Sequence, residues 1–225
     1  MQKVLNCIIV HMKTPWDNVD EFERIVADYV GAKYGVATDS CTNAIFLCIK
    51  YLQNMMQHEL AFQVPKHTYL SVPMAVENAG AELEFVDSKW CGTYQLSPYP
   101  IHDSATQFYQ GMYTGGMQCV SFHIKKHIPI GRGGMILTDD AVAVDWLKQA
   151  RYDGRQSVSF NDIKDVSVCG YHMYMQPDQA ARGIELFYRM QPNLPNMLAT
   201  WEDYPDVSKY SCFASHINSD AVVSS

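Results

Sequence analysis

Apolar positions along the chain recur with two periods. Val19, Phe22, Val26 and Val30 fall at helical spacing and predict an amphipathic helix over 18–30. Asn18, with Glu21 three residues on, has the form of a capping box, and Gly31 suits the C-terminal cap. Tyr34 to Ala37 reads as a short buried strand. After Thr38-Asp39-Ser40-Cys41-Thr42-Asn43, a second helical face follows with Ile45, Cys48, Ile49 and Leu52. Ala61 to Val64 is an apolar run ended by Pro65. Ser71 stands where it would cap a helix that carries Pro73 in its first residues and ends at Gly80. Leu83 to Val86 is a strand stopped by Asp87, and Cys119 to Phe122 and Met135 to Leu137 are further short apolar runs. Helices alternating with continuously apolar strands predict an α/β protein with a mainly parallel sheet.

Composition narrows the class. The 225 residues suffice for one well-buried domain with at most a small appendage, and the 48% hydrophobic and 18% charged content is that of a globular protein. A net charge of −7 without a Lys/Arg block argues against a nucleic-acid surface. No apolar run approaches the roughly 20 residues that cross a bilayer, so no membrane partner is expected. Met1 to Val10 lacks the basic region, long apolar core and cleavage site of a signal peptide. The seven cysteines are scattered without a C-x-x-C pair. They predict reduced, mostly buried thiols of a cytoplasmic protein, with neither a disulfide framework nor a metal site.

Three stretches carry candidate chemistry. Lys125 and Lys126 follow the apolar run Cys119 to Phe122, ahead of the Gly-rich turn Gly131-Arg132-Gly133-Gly134. A lysine at the end of a buried strand is partly desolvated, which favours the neutral, nucleophilic amine able to form a Schiff base with a carbonyl compound or with pyridoxal phosphate. Two solvated lysines at a strand-to-loop transition fit the same residues. On an extended chain adjacent side chains point to opposite sides, so one of the two lysines is expected to face a pocket. Ser40, Cys41 and Thr42 open a helix, whose free N–H groups and dipole suit an anion; plain capping by Ser40 or Thr42 is the alternative. Asp103, after Ile101-His102, is expected at the carboxyl edge of the sheet, where ligands bind. If buried there it needs a cationic or N–H partner, and it equally suits the cap of a following turn.

Taken in order, several segments resemble the DegT/DnrJ/EryC1/StrS family of sugar aminotransferases, which depend on pyridoxal 5'-phosphate (PLP). Ser121 to Gly134 matches its SFHxxKxxxxGEGG block, Ser40-Cys41-Thr42 its S-G-T, and Pro65-Lys66-His67-Thr68-Tyr69 its P-x-x-T-aromatic loop. Ala79-Gly80-Ala81 with Phe85-Val86-Asp87 matches AGA…FVD, and Thr93 to Pro98 matches TYNLDP. His102 to Thr106 matches EDAAQ, and Gly170 to Gly183 matches GYNYRMTEIQAALG. The resemblance implies the large domain of PLP-transferase fold type I, a three-layer α-β-α architecture with a mostly parallel sheet. It implies Lys126, five residues beyond Ser121, as the Schiff-base lysine, and Asp103 as the carboxylate on the pyridine nitrogen. Tyr69 would stack on the ring. Ser40, Cys41, Thr42 and Ser121 would hold the phosphate, and Thr106 stands beside the ring oxygen. A homodimer with a shared site is implied, with His172 reaching the partner's phosphate. The reaction implied is transamination of a keto-sugar nucleotide with glutamate or glutamine as amino donor.

The departures carry information too. Thr106 replaces a glutamine, Cys41 a glycine, Arg132 the glutamate of GEGG, His172 the asparagine of GYNYR, and Tyr174 its arginine. Between Pro98 and Ile101 the family has a long helix–strand–helix passage that this chain lacks. The expected organisation is a shortened large domain over 1–183, then a loosely ordered tail or small-domain remnant over 184–225. A non-catalytic PLP-fold protein serving as a structural or partner subunit is the alternative reading.

Overall fold

The computed structural model describes residues 14–156, 158, 160–190 and 198–216. Met1 to Val10 lies outside the described residues, as do parts of 184–225.

Helix α1 (Asp17–Val30) starts before the expected capping box. Thr14 donates from its hydroxyl to Asp17 Oδ1 at 2.8 Å. This sets the first turn one residue earlier and leaves Glu21 to pair with Arg24. Gly31 ends the helix in the left-handed region at φ 87°, as its sequence position predicts. Strand β1 (Tyr34–Thr38) leads to α2 (Cys41–Met56), whose first turn is capped by Ser40 Oγ accepting from Asn43 N–H. Strand β2 (Ala61–Pro65), helix α3 (Ser71–Asn78) and strand β3 (Glu82–Val86) follow. Ser71 is the first residue of α3 and not its cap; its hydroxyl meets Thr42 Oγ1 at 2.6 Å. Then come β4 (Tyr94–Gln95), β5 (Ile101–Asp103), β6 (Met117–Ser121), β7 (Gly134–Thr138), α4 (Ala141–Ala150) and α5 (Pro177–Arg189).

The sheet is mixed. Five strands pair in the order β1-β7-β6-β5-β4, and β2 pairs with β3. An antiparallel bridge between Gln63 and Ser97 joins the two parts. Among the seven strands of the described residues, β1, β2, β3, β5 and β6 point one way, while β4 and β7 run against them. The α/β class stands, and the two reversed strands have a local cause. Residues 96–100 are too few for a parallel return from β4 to β5, and residues 122–133 fold as a turn that brings β7 back against β6.

Alternation along the strands divides the core into two layers. Val36, Cys119 and Ile136 face α2, α3 and α4 on one side. Ala37, Val120, Met135 and Leu137 face α1 and α5 on the other. At the β2–β3 end only one face is covered: Phe62 and Val64 are buried, while Gln63 and Glu84 point outward and bond each other at 2.9 Å. The expected boundary at 183 falls inside α5, which runs through it unbroken. A Cβ on Gly183 would press on Phe22 and Ile130 at 2.8 Å, so glycine lets α5 seat closely on α1. Residues 198–216 are packed where the composition predicts a loose tail. Gly92 N–H bonds Ala199 O and Val207 N–H bonds Lys66 O, and Phe213 is buried against Phe85.

Candidate active site

The carboxyl ends of β1, β2, β5 and β6 open on one cavity of about 420 Å³. Every chain reversal at that edge delivers side chains to it. The turn after β1 brings Ser40, Cys41 and Thr42, the loop after β2 brings Thr68 and Tyr69, and the end of β5 brings Asp103 and Thr106. The turn after β6 brings Ser121, Lys125 and Lys126. Gly134 makes this convergence possible, since a Cβ there would collide with the backbone of Ser40 and Cys41. The first turn of α2 therefore lies directly on the start of β7.

Asp103 is the buried carboxyl of the site, 6% exposed. Ala105 N–H donates to its Oδ1 at 2.9 Å and the Tyr94 hydroxyl to its Oδ2 at 2.8 Å. Burial pushes the Asp103 carboxyl up from its ordinary value; Ala105, Tyr94 and Lys126 pull it back without cancelling that effect. Lys126 is half-buried and close enough to act electrostatically on both Asp103 and Cys41, whereas Lys125 is exposed. The expectation that one lysine alone faces the pocket does not hold. The strand ends at Ser121, and Lys126 N–H bonds His123 O at 2.8 Å in a tight turn, so both lysines line the cavity.

The other expected site residues divide. Burial and the Asp103 charge push the Cys41 thiol up, so it stays protonated. Tyr69 stands at the cavity mouth, 63% exposed. The Thr106 hydroxyl is given to Gly92 O at 3.0 Å. Ser121 Oγ accepts from His123 N–H at 3.3 Å. Arg132, at the rim, pairs with Asp39 at 2.7 Å beside the start of α2. His172 does not line the cavity of its own chain; it is exposed, bonded to Asp153 and set edge-on against Tyr174. Of the six described cysteines only Cys48 and Cys119 are buried and Cys41 partly so, while Cys91, Cys169 and Cys212 are exposed, against the expected mostly buried set.

One wall was missed in the sequence. Trp90, Tyr94 and Tyr204 line the cavity, with Trp90 centred 4.9 Å from Tyr94 and 5.5 Å from Tyr204. Tyr94 belongs to the TYNLDP-like stretch, which carried no assigned role. Tyr204 lies in the supposed tail, and no pattern in the sequence points to it.

An α/β domain that gathers a lysine, a buried carboxylate and a helix N-terminus at one sheet edge has the build of an aminotransferase large domain. The model of the DegT/DnrJ/EryC1/StrS aminotransferase family matches residues 2–109 and again 101–206, and the chain belongs to that family. It is 24% identical over 223 residues to the spore coat polysaccharide biosynthesis protein SpsC of Bacillus subtilis, covering 76% of this chain and 57% of that protein. It is 22% identical over 221 residues to the UDP-4-amino-4,6-dideoxy-N-acetyl-beta-L-altrosamine transaminase of Campylobacter jejuni, covering 78% of this chain and 58% of that one. The chain thus spans less than three fifths of the length of these relatives. In fold it is similar to a DegT DnrJ EryC1 StrS aminotransferase from Brucella abortus. The TM-score is 0.64 at 18% identity, covering 89% of this chain and 72% of that one. Among the described residues no helix is long and apolar enough to cross a membrane.

Proposed function

We propose that the cavity holds pyridoxal 5'-phosphate and that the protein transfers an amino group from glutamate or glutamine to a keto-sugar nucleotide. The observation that carries this reading is Asp103. A buried carboxylate with lone pairs left over, facing a half-buried lysine across a cavity of ligand size, is costly unless a cationic group completes it. A pyridinium nitrogen is such a group. The start of α2 offers backbone N–H groups and a positive dipole end to a phosphate, beside the Ser121 hydroxyl. The residues present therefore fit the cofactor.

When bound, the cofactor supplies an electron sink for charge developing on the amino-bearing carbon of the substrate. The chain's own residues do the rest. Lys126 would hold the cofactor through its amine and would serve as the base that moves a proton at the substrate carbon. Asp103 keeps the ring nitrogen protonated. Tyr69 covers a ring face. A homodimer in which His172 completes the partner's phosphate site belongs to this reading, as does a cytoplasmic setting.

A second reading, a partner subunit without catalysis, draws on specific features. Thr106 offers no side-chain N–H and spends its hydroxyl on Gly92 O, and Arg132 is held by Asp39. Titration of the purified protein with PLP separates the two. A saturable yellow absorbance band is expected on the first reading; a folded protein with no band at saturating PLP would leave the second.

A further inference from the structure

The hairpin β4–β5 sets Tyr94 opposite Asp103. Leu96 N–H bonds Ile101 O at 2.8 Å across its short loop, and Gln63 N–H bonds Ser97 O at 2.7 Å on the other flank. No element fits between β4 and its neighbours, so the connector itself fills the place between β5 and β2. The antiparallel register of β4 on β5 is what brings the Tyr94 phenol to the buried carboxylate. That phenol has one proton. With it given to Asp103 Oδ2 at 2.8 Å, the close contact between Thr68 and Tyr94 must have the Thr68 hydroxyl as donor. Thr68, Tyr94 and Asp103 thus form a directed chain of hydrogen bonds, and the Trp90 ring packed on Tyr94 fixes its plane.

Resting on the reading of Asp103 as partner of a cationic ring nitrogen, we propose that Tyr94 is a positioning residue that keeps Asp103 ionised and aimed into the cavity. The titratable groups facing Asp103 are Tyr94 from β4, Lys126 from the turn after β6, Cys41 from α2, Cys119 from β6 and Tyr204 from the C-terminal segment. Cys41, Cys119, Tyr94 and Tyr204 are all pushed up, chiefly by burial, and stay neutral. Among these groups the ionised form of Asp103 is supported by Lys126 and by the Tyr94 hydroxyl, joined by the Ala105 N–H. Removing the hydroxyl takes away one of three opponents of burial and strips Thr68 of its acceptor.

The test is the carboxyl ¹³C titration of Asp103 in the cofactor-free protein, assigned with Asp103→Asn and compared with Tyr94→Phe. The substitution is expected to move the Asp103 titration upward and to weaken PLP binding roughly tenfold, the scale of a hydrogen bond to a charged group. An unmoved titration in a folded Tyr94→Phe protein overturns the proposal. If that variant does not fold, the wild type decides. The ¹³Cζ signal of Tyr94 should track the Asp103 titration, and a flat signal overturns the proposal equally. The titration needs no cofactor, so a wild type that takes up no PLP would remove the functional reading while leaving Tyr94 to be judged on its own.

Discussion

The two sides of the cavity are built differently. On one, β1, β6 and β7 bring Ser40 to Thr42, Ser121, Lys126 and Gly133 to the sheet edge, each at a fixed offset from a strand end. On the other, Trp90 and Tyr94 come from the stretch between β3 and β5 and Tyr204 from a segment more than a hundred residues away, held by aromatic packing. The first side is made by residue identity at regular positions, and its chemistry is local. The second is made by contacts between segments distant in sequence.

The largest effect is expected at the strut behind the first side. Glu23 accepts from Ala37 N–H at 2.9 Å and pairs with Arg151 and, at 2.8 Å, with Lys148. Arg151 in turn bonds Ala37 O at 2.6 Å, so the pair clamps β1 just ahead of Ser40. Glu23→Ala leaves Arg151 buried without its partner and should cost about 3–5 kcal/mol in chemical denaturation. Burial alone would push the Glu23 carboxyl up, but Arg151 and Lys148 outweigh it and hold it below its ordinary value of 4.5. Its contribution is therefore complete above that value and is lost as pH falls through the lower, folded one. Acid unfolding of the wild type should steepen in that window, and the Glu23→Ala protein should lack the step.

Next comes the strut of the second side. Phe213 is 1% exposed and packs on Phe85. Phe213→Ala should cost about 3 kcal/mol and speed proteolysis within 198–216. A neutral result would return that segment to a loose tail and undo the comparison. Smaller still, Asp103→Asn should weaken PLP binding by about 2 kcal/mol, roughly thirtyfold, read by titration of the absorbance. The smallest effect belongs to Arg132→Ala, which removes an exposed pair with Asp39 and should cost under about 1 kcal/mol in thermal unfolding.

Legibility in the sequence follows the same divide. The strands at Tyr34, Ala61, Leu83 and Cys119 show as apolar runs, and the helices as 3.6-residue patterns, because each buries a face of its own. Ser40, Asp103 and Lys126 could be placed at the carboxyl edge because the chemistry of a strand end is set within a few residues. The start of α1 slipped by a residue because Thr14 and Asn18 are competing partners for the same first turn, and spacing does not rank them. The direction of β4 and β7 depends on how the turns between strands fold, which an apolar pattern does not record. Tyr204 contacts the cavity only through tertiary packing, so no local signal marks it.

The central claim is that Lys126, and not its neighbour, holds the cofactor. Both lysines line the cavity, so geometry alone leaves a clean contest. Borohydride reduction in saturating PLP, followed by peptide mapping, should put the label on Lys126; Lys126→Ala should abolish it and Lys125→Ala leave it nearly intact. A label on Lys125, or none on a folded protein, would contradict the account.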